Sequence, residues 1–154
     1  QLNSLVGFMK KFLGLLVLLC LTCAFNFNDV PYLKPTVSGS LCTESDPDFS
    51  EYRYSQQIPY CKRNVTYERK LKIYSDYHIP KREHSNYTID HIIPLSIGGS
   101  NREENLWPEH KKIKACREHM EITIFKKVRA GELTQSDAIE YIKDIKYDKI
   151  CTEN

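Results

Sequence analysis

The amino-acid sequence predicts an α+β fold in which a strand, a loop, a second strand and a helix follow one another, with further helices around them. The run Thr88–Ile93 is rich in β-branched residues, which favours a β-strand. Residues that typically begin a helix occur at Thr66, Pro108 and Thr134. The order of these features indicates a small mixed domain with few strands.

The first element along the chain is the apolar run Phe12–Phe25, which follows two lysines. A basic start, a short apolar core and small residues near Ala24 are typical of a secretory signal peptide. A helix of this length covers about 21 Å, less than the ~30 Å hydrocarbon layer, so we expect no stable membrane association after cleavage. The pattern predicts upstream residues plus a signal peptide over 1–24, one domain over 25–154, and export to the periplasm or the medium.

Four cysteines follow the predicted cleavage site, and an even number in an exported protein predicts two disulfides. These cysteines are Cys42, Cys61, Cys116 and Cys151. Three connectivities are possible, and proximity in the sequence favours Cys42 with Cys61 and Cys116 with Cys151. A zinc site formed by Cys116, His119 and His110 is the alternative, although no Cys-x-x-Cys pair among the four supports it.

The segment before the predicted strand contains an irregular stretch and one helix. Residues 28–60 are rich in proline, serine, aspartate and tyrosine, which predicts an irregular segment held by two of the cysteines. Thr66 can cap a helix that places Tyr67, Leu71 and Tyr74 on one face and ends before Pro80.

Asp90 and His91 are neighbours on the predicted strand, and neighbours on a strand point to opposite faces. Pro94 and the pair Gly98-Gly99 allow the backbone to bend after them, because proline stops strand pairing and glycine accepts positive φ. We therefore expect a site where the strand passes into a loop.

The predicted helices after this loop are long. Pro108 can open a helix that runs towards Ala130, and Gly131 can close it in the left-handed conformation. Thr134 and Asp137 resemble a capping box before a last helix with an apolar stripe. The helix carries Ala138, Ile139, Tyr141, Ile142 and Ile145, and Ile139 and Ile142 give it the apolar stripe.

The pattern Asp-His-x-x-Pro-Leu-x-x-Gly-Gly-x-Asn over Asp90–Asn101, followed by Asn-Leu-Trp-Pro over Asn105–Pro108, resembles the ββα-metal, or HNH, endonucleases. A weaker likeness to a secreted bacterial branch of that superfamily extends over about 41–142. The resemblance implies a small ββα-metal core at about 86–130 with additional helices. It also implies an endonuclease that hydrolyses phosphodiester bonds of DNA, with RNA as an alternative, and has little sequence preference.

The same resemblance implies a role for three residues. His91 would be the general base that activates water, Asp90 a ligand of one divalent ion, and Asn105 the brace of the turn that carries the histidine. Mg²⁺ is the predicted ion, with Mn²⁺ or Zn²⁺ as alternatives. A neutral imidazole can take a proton near neutral pH, and a cation offsets the charge on the leaving oxygen.

The second metal ligand departs from the family pattern. Many members place a histidine or asparagine eight or nine residues after the bracing asparagine, where this chain has Ile113 and Lys114. We take His110 as the second ligand because it is nearest to the start of the helix. Glu118 and Glu121, which are also on this predicted helix, are the alternatives.

The distribution of basic residues indicates which part of the chain would bind nucleic acid. Without Lys10 and Lys11, 20 of the 22 basic residues remain, equal to the 20 acidic residues, so local clusters must contact the phosphate backbone. One cluster is Lys62, Arg63, Arg69, Lys70 and Lys72, and the other is Lys111, Lys112, Lys114 and Arg117. We predict that the second cluster binds nucleic acid irrespective of sequence and that the protein is a monomer.

Two other functions are compatible with the sequence. Lys114 at a position where a metal ligand is expected favours a catalytically inactive, secreted nucleic-acid-binding module on the same fold. A secreted structural domain stabilised by its disulfides is the other alternative. Nicking of plasmid DNA that depends on His91 separates an enzyme from both.

Overall fold

Two small antiparallel sheets and three α-helices make up the part of the chain that the computed structural model describes, residues 32–148. In chain order they are β1 (Phe49–Arg53), β2 (Ile58–Cys61), α1 (Tyr67–Asp76), β3 (Tyr87–His91), β4 (Leu106–His110), α2 (Lys111–Ala130) and α3 (Gln135–Tyr147). The fold is therefore mixed α and β, as predicted. The predicted signal peptide, residues 1–24, lies outside the described residues.

Strands β1 and β2 form an antiparallel hairpin inside the segment predicted to be irregular, so that prediction is wrong for residues 49–61. Phe49 pairs with Cys61 and Arg53 with Ile58. The turn between the strands contains Tyr54 and Gln57, which both have positive φ although neither is glycine. Short strands joined by such an unusual turn carry no strong local sequence pattern.

Disulfide bonds connect parts of the described chain. Cys42 and Cys61 form a disulfide, which confirms the predicted pair. Cys116 is also disulfide-bonded, so it has no free thiolate for the alternative zinc site. Its predicted partner, Cys151, lies outside the described residues. A disulfide indicates a non-reducing environment. Between residues 32 and 148, no helix combines the length and the apolar character that a membrane span requires.

Strands β3 and β4 are antiparallel, and α2 follows β4 directly. Asp90 pairs with Trp107, and His91 pairs with Leu106. Pro108 lies within β4 opposite Ile89, so the prediction that it opens the helix is wrong. A two-stranded sheet leaves one edge of each strand unpaired, and proline is tolerated there because its missing N–H is not needed.

Helices α1 and α3 begin, and α2 ends, at the predicted capping residues. Thr66 precedes α1, and its Oγ1 accepts a hydrogen bond from the Arg69 amide at 3.2 Å. Thr134 caps α3 in the same way, with the Asp137 amide donating at 3.1 Å. Helix α2 ends at Gly131, which has a left-handed backbone with φ of 77°. These predictions are confirmed.

Two apolar clusters lie on opposite faces of the β3–β4 sheet, because Trp107 belongs to one and its neighbour Leu106 to the other. The larger cluster includes Ile58, Ile92, Ile97, Trp107, Ile124, Val128, Ile142 and Ile145, and it packs α2 and α3 against the sheet. The smaller one includes Ile73, Tyr74, Ile79, Tyr87, Ile89 and Leu106 beneath α1. Asp90 lies on the same face of the sheet as Trp107, so its carboxylate points towards α2 and α3.

Candidate functional site

A braced loop follows the end of β3 and fixes the position of His91. The Asn105 side chain is fully buried, accepts a hydrogen bond from the Ile93 amide at 2.8 Å, and donates to the carbonyl oxygens of Ile93 and Ser100. A Cβ on Gly99 would collide with the Ile93 carbonyl oxygen, so only glycine fits there. Asn105 and Gly99 together hold the loop in one conformation.

The imidazole of His91 is buried and bound at both ring nitrogens. Nε2 lies 3.0 Å from Asn101 Oδ1, and Nδ1 lies 3.2 Å from a guanidinium nitrogen of Arg63. The amide oxygen can only accept and the guanidinium can only donate, so Nε2 carries the proton and Nδ1 presents a lone pair. Burial lowers the pKa of His91 to about 4, and the charge of Arg63 acts in the same direction. The ring is therefore neutral at ordinary pH.

Asn101 sets the tautomer of His91, a role that the sequence did not suggest. Its Nδ2 donates to the Lys62 carbonyl oxygen at 2.7 Å and to the Asp48 carboxylate, two groups that can only accept. The amide oxygen is thus turned towards His91, where it also accepts from the Asn64 amide at 3.2 Å. Asn101 belongs to the same glycine-containing motif, which was the only local indication of its importance.

Asp90 is buried among cationic side chains. Lys114 Nζ lies 2.6 Å from Oδ1, Lys146 Nζ lies 3.0 Å from Oδ2, and a guanidinium nitrogen of Arg63 lies 4.0 Å from Oδ1. Burial alone would raise the pKa of Asp90, but Lys146 and Lys114 outweigh it and hold this pKa well below its usual value. Asp90 is a carboxylate at any ordinary pH.

Asp90 and His91 reach a common pocket although they start on opposite faces of the strand. The pocket has a volume of about 100 Å³ and is also lined by Arg63, Glu121 and Lys146. At ~30 Å³ per water molecule it admits a few waters or one small tetrahedral group. The positive charges of Arg63 and Lys146 are balanced by Asp90 and Glu121, and Lys114, which is bound to Asp90, adds one positive charge that favours an anion.

The structure does not bring His110 to Asp90. His110 pairs with Tyr87 at the other end of the sheet, three positions along β4 from the partner of Asp90. Its Nδ1 accepts a hydrogen bond from the Lys112 amide at 3.3 Å, where it caps α2, and its ring contacts the Tyr87 ring. Its placement is explained by helix capping and ring packing.

The predicted nucleic-acid-binding residues on α2 separate into three environments. Lys111 and Lys112 are exposed on the first turn of the helix. Lys114 is partly buried and bound to Asp90. Arg117 is fully buried, forms an ion pair with the equally buried Glu109, and donates to the Ile145 carbonyl oxygen at 3.1 Å. Arg117 therefore cannot contact a phosphate backbone.

The donors around Asp90 do not fit a divalent ion as they are arranged. Both carboxylate oxygens bind ammonium groups, and the other carboxylate that lines the pocket, Glu121, is bound to Lys146 at 3.2 Å. A dication placed here would meet three cations at close range. In residues 32–148, the only three potential metal ligands that lie together belong to Cys42, Asp46 and Cys61, whose sulfurs are bonded to each other.

Arg63 and Lys146 are further residues that the sequence did not assign to the site. Arg63 was grouped in a basic cluster with no stated role, and its 28-residue separation from His91 hides the contact. Lys146 follows Ile142 and Ile145 on the apolar stripe of α3, and it is fully buried. In the sequence, Lys146 stands next to the apolar stripe of the last helix. A lysine at a buried position is almost always paired with an acidic group, so this placement was the signal that could have been used.

Comparison with known proteins adds no relative to this description. No protein-family model, no curated protein and no solved structure matches the chain. The resemblance to HNH endonucleases therefore depends on the motif residues, and the function is argued from the geometry of the site.

Proposed function

We propose that this chain is an endonuclease that hydrolyses phosphodiester bonds of DNA, with RNA as an alternative substrate, and that His91 is its general base. One observation supports this proposal most directly. His91 is a buried, neutral imidazole whose Nε2–H is held by Asn101 while its Nδ1 lone pair lies beside Arg63 in a positively charged pocket. This is the arrangement that proton abstraction from water next to a phosphate requires.

The reaction assigns simple roles to the residues of the pocket. A water molecule beside Nδ1 loses a proton to His91, and its oxygen attacks phosphorus in line with the departing sugar oxygen. In the structure an Arg63 N–H donates to Nδ1 at 3.2 Å, and the Arg63 side chain is more than half exposed. When substrate binds, the guanidinium turns from Nδ1 to a non-bridging phosphate oxygen and leaves the lone pair to that water. The products would be a 5′-phosphate and a 3′-hydroxyl, as the family resemblance implies.

The topology around the pocket is compatible with a ββα-metal core. β3, β4 and α2 follow one another directly, Asp90 and His91 lie at the end of β3, and Asn105 braces the loop between the strands. We propose these elements as the HNH unit of the chain. The divalent ion remains a prediction from the sequence, and no step of the proposed reaction uses it.

Binding would depend on the nucleic-acid backbone. Lys111 lies exposed on the helix that follows β4, Arg63 lines the pocket at His91, and Lys114 lines the neighbouring pocket. Contacts of this kind give affinity that falls with salt and does not depend on sequence. Export of a monomer to the periplasm or the medium is part of the proposal, and the disulfide between Cys42 and Cys61 supports a non-reducing destination.

A plasmid-nicking assay tests the proposed base. The wild-type chain is expected to relax supercoiled DNA, and His91→Ala is expected to lower the rate by about 10²–10⁴-fold. His119→Ala is the matched control, because His119 is exposed on α2 and does not line that pocket. Equal nicking by His91→Ala and wild type would show that His91 is not the base.

A second candidate function is a nucleic-acid-binding module without catalysis. The ion pairs of Asp90 with Lys114 and Lys146 favour it, because they leave neither carboxylate oxygen open. Such a protein would retard DNA in a gel and would not nick it, with or without Mg²⁺ or Mn²⁺. Nicking that disappears in His91→Ala while gel retardation remains would exclude this alternative.

A further inference from the structure

The ammonium group of Lys146 occupies a point where three oxygen atoms converge. Its Nζ lies 2.6 Å from the His91 carbonyl oxygen, 3.0 Å from Asp90 Oδ2 and 3.2 Å from Glu121 Oε1. Three oxygen partners use all three N–H donors of the ammonium group. Because Lys146 is fully buried, this cation is a fixed part of the site.

A second ammonium group binds the other oxygen of Asp90. Lys114 Nζ lies 2.6 Å from Oδ1, and its side chain remains more than one-third exposed. Lys114 also lines a pocket of about 240 Å³ that shares Pro94 and Glu121 with the pocket at His91. Lys114 can therefore contact a nucleic-acid strand that lies along the surface and enters both pockets.

The charges at the site nearly cancel without any added ion. Asp90, Glu121 and Glu109 contribute three negative charges, and Lys114, Lys146, Arg63 and the Glu109 partner Arg117 contribute four positive charges, beside a His91 whose two ring partners bind it as a neutral imidazole. One phosphodiester group, with a single negative charge, neutralises the remaining positive charge. A divalent ion in the same place would instead leave a large uncompensated positive charge in a partly buried site.

From this charge balance we infer that Lys114, Lys146 and Arg63 supply the positive charge that the predicted divalent ion would bring, and that the chain hydrolyses phosphodiester bonds without a metal ion. The inference rests on the proposed function, because it concerns the same site and reaction. Arg63 and Lys114 contact the phosphate, whereas Lys146 is a positioning residue that holds Asp90 and the His91 backbone.

The bonds and protons balance in this scheme. Water gives one proton to His91 Nδ1, its oxygen bonds to phosphorus, and the bond from phosphorus to the 3′ oxygen breaks. Lys114 Nζ gives a proton to the departing 3′ oxygen. Solvent then carries the proton of His91 back to Lys114, so both side chains regain their starting states and one water is consumed per bond cleaved.

Nicking of supercoiled plasmid in excess EDTA tests the inference. Wild type is expected to nick at nearly the same rate in EDTA and in Mg²⁺, and Lys114→Met is expected to lose about 10²–10³-fold in EDTA. Lys126→Met removes an exposed lysine about three turns further along the same helix and outside both basic clusters, so it serves as the matched control and is expected to nick like wild type. Nicking that EDTA abolishes and Mg²⁺ or Mn²⁺ restores would overturn the inference and leave the proposed nuclease function intact.

Mn²⁺ binding, measured by calorimetry, gives a readout that does not depend on activity. Wild type is expected to bind no Mn²⁺ at this site, whereas stoichiometric binding that Asp90→Asn removes would overturn the inference. Lys146→Ala takes the fixed cation away and leaves two carboxylates and a carbonyl oxygen, a set that suits a hard ion. This variant is expected to gain Mn²⁺ binding, and an unchanged lack of binding would show that Lys146 does not stand in for an ion.

The two proposals fail in different ways. Wild type that nicks under no condition refutes the nuclease function and the inference together. EDTA-sensitive nicking refutes the inference alone. EDTA-resistant nicking that persists unchanged in Lys114→Met also refutes the inference, because the lysine would then supply no charge to the reaction.

Discussion

Removing the disulfide between Cys42 and Cys61 tests how the hairpin contributes to stability and to the site. The two cysteines are separated by 19 positions, and closing a loop of that size in the unfolded chain contributes about 3 kcal/mol. Cys42→Ala/Cys61→Ala is therefore expected to lower the free energy of unfolding by about 3 kcal/mol. With a urea m-value of about 1.5–3 kcal/mol/M, the unfolding midpoint should fall by about 1–2 M.

The same variant is expected to lose activity while it is still folded. The residues directly after Cys61 provide the Lys62 carbonyl oxygen that binds Asn101 and the Arg63 guanidinium that binds His91. Releasing the end of β2 from Cys42 loosens both contacts. Nicking should therefore be slower even well below the unfolding midpoint of the variant.

Urea unfolding followed by circular dichroism gives the stability, and plasmid nicking without denaturant gives the activity. A control variant that removes only an exposed hydroxyl, Ser50→Ala on β1, should match wild type in both assays. An unchanged urea midpoint in the double alanine variant would refute the loop-closure argument. Full activity in a folded but destabilised variant would refute the coupling between the hairpin and His91.

Two further predictions concern titration and a buried ion pair. The nicking rate should rise with pH through about 4 and level off above it, because only neutral His91 accepts a proton, and a pH–rate profile with its inflection near 6.5 would contradict this. The lowered pKa also means that the unfolded state binds the proton more tightly, so the stability that His91 contributes is present above about pH 6.5 and is lost as pH falls through about 4. Glu109→Leu should cost about 3–5 kcal/mol in urea unfolding because it leaves the buried charge of Arg117 unpaired. Adding Arg117→Met should recover most of that loss, Glu118→Ala on the exposed face of α2 should change little, and a Glu109→Leu variant as stable as wild type would contradict the argument.

Local features of the sequence were sufficient to predict the starts of α1 and α3 and the end of α2. Thr66 and Thr134 accept hydrogen bonds from amides three residues further on, and Gly131 takes the left-handed conformation that ends α2. Each of these interactions involves residues that are close in sequence. The prediction therefore needed no knowledge of the tertiary structure.

The hairpin and the position of Pro108 depend on contacts that a local pattern does not contain. β1 and β2 are short, and the turn between them uses Tyr54 and Gln57 at positive φ, where glycine or asparagine is the usual indication. The position of Pro108 in β4 depends on its pairing with Ile89, which lies nineteen positions earlier on a different element. The fixed φ of proline suits the first turn of a helix as well as an edge strand, so the sequence alone favoured a helix start at Pro108, which is wrong.

The site could be predicted only where its residues are neighbours in the motif. Asp90, His91 and Asn105 lie within one short run, and the structure places their side chains around one loop. Arg63 and Lys146 reach the pocket from 28 and 56 residues away, so no spacing rule connects them with it. His110 was chosen for its closeness to the helix start, but the pairing of β4 with β3 puts it at the far end of the sheet.

The link between Lys146 and Asp90 has a consequence for the order of events during synthesis. A growing chain that has reached residue 145 already contains His91, Asn101 and Arg63 but still lacks the ammonium group that neutralises the Asp90 carboxylate. The Tyr32 hydroxyl also donates to the Lys146 carbonyl oxygen at 2.5 Å, so the earliest described residue fastens the last turn of α3. Under the proposed function, a ribosome-bound chain would hold an incomplete site until that late helix docks.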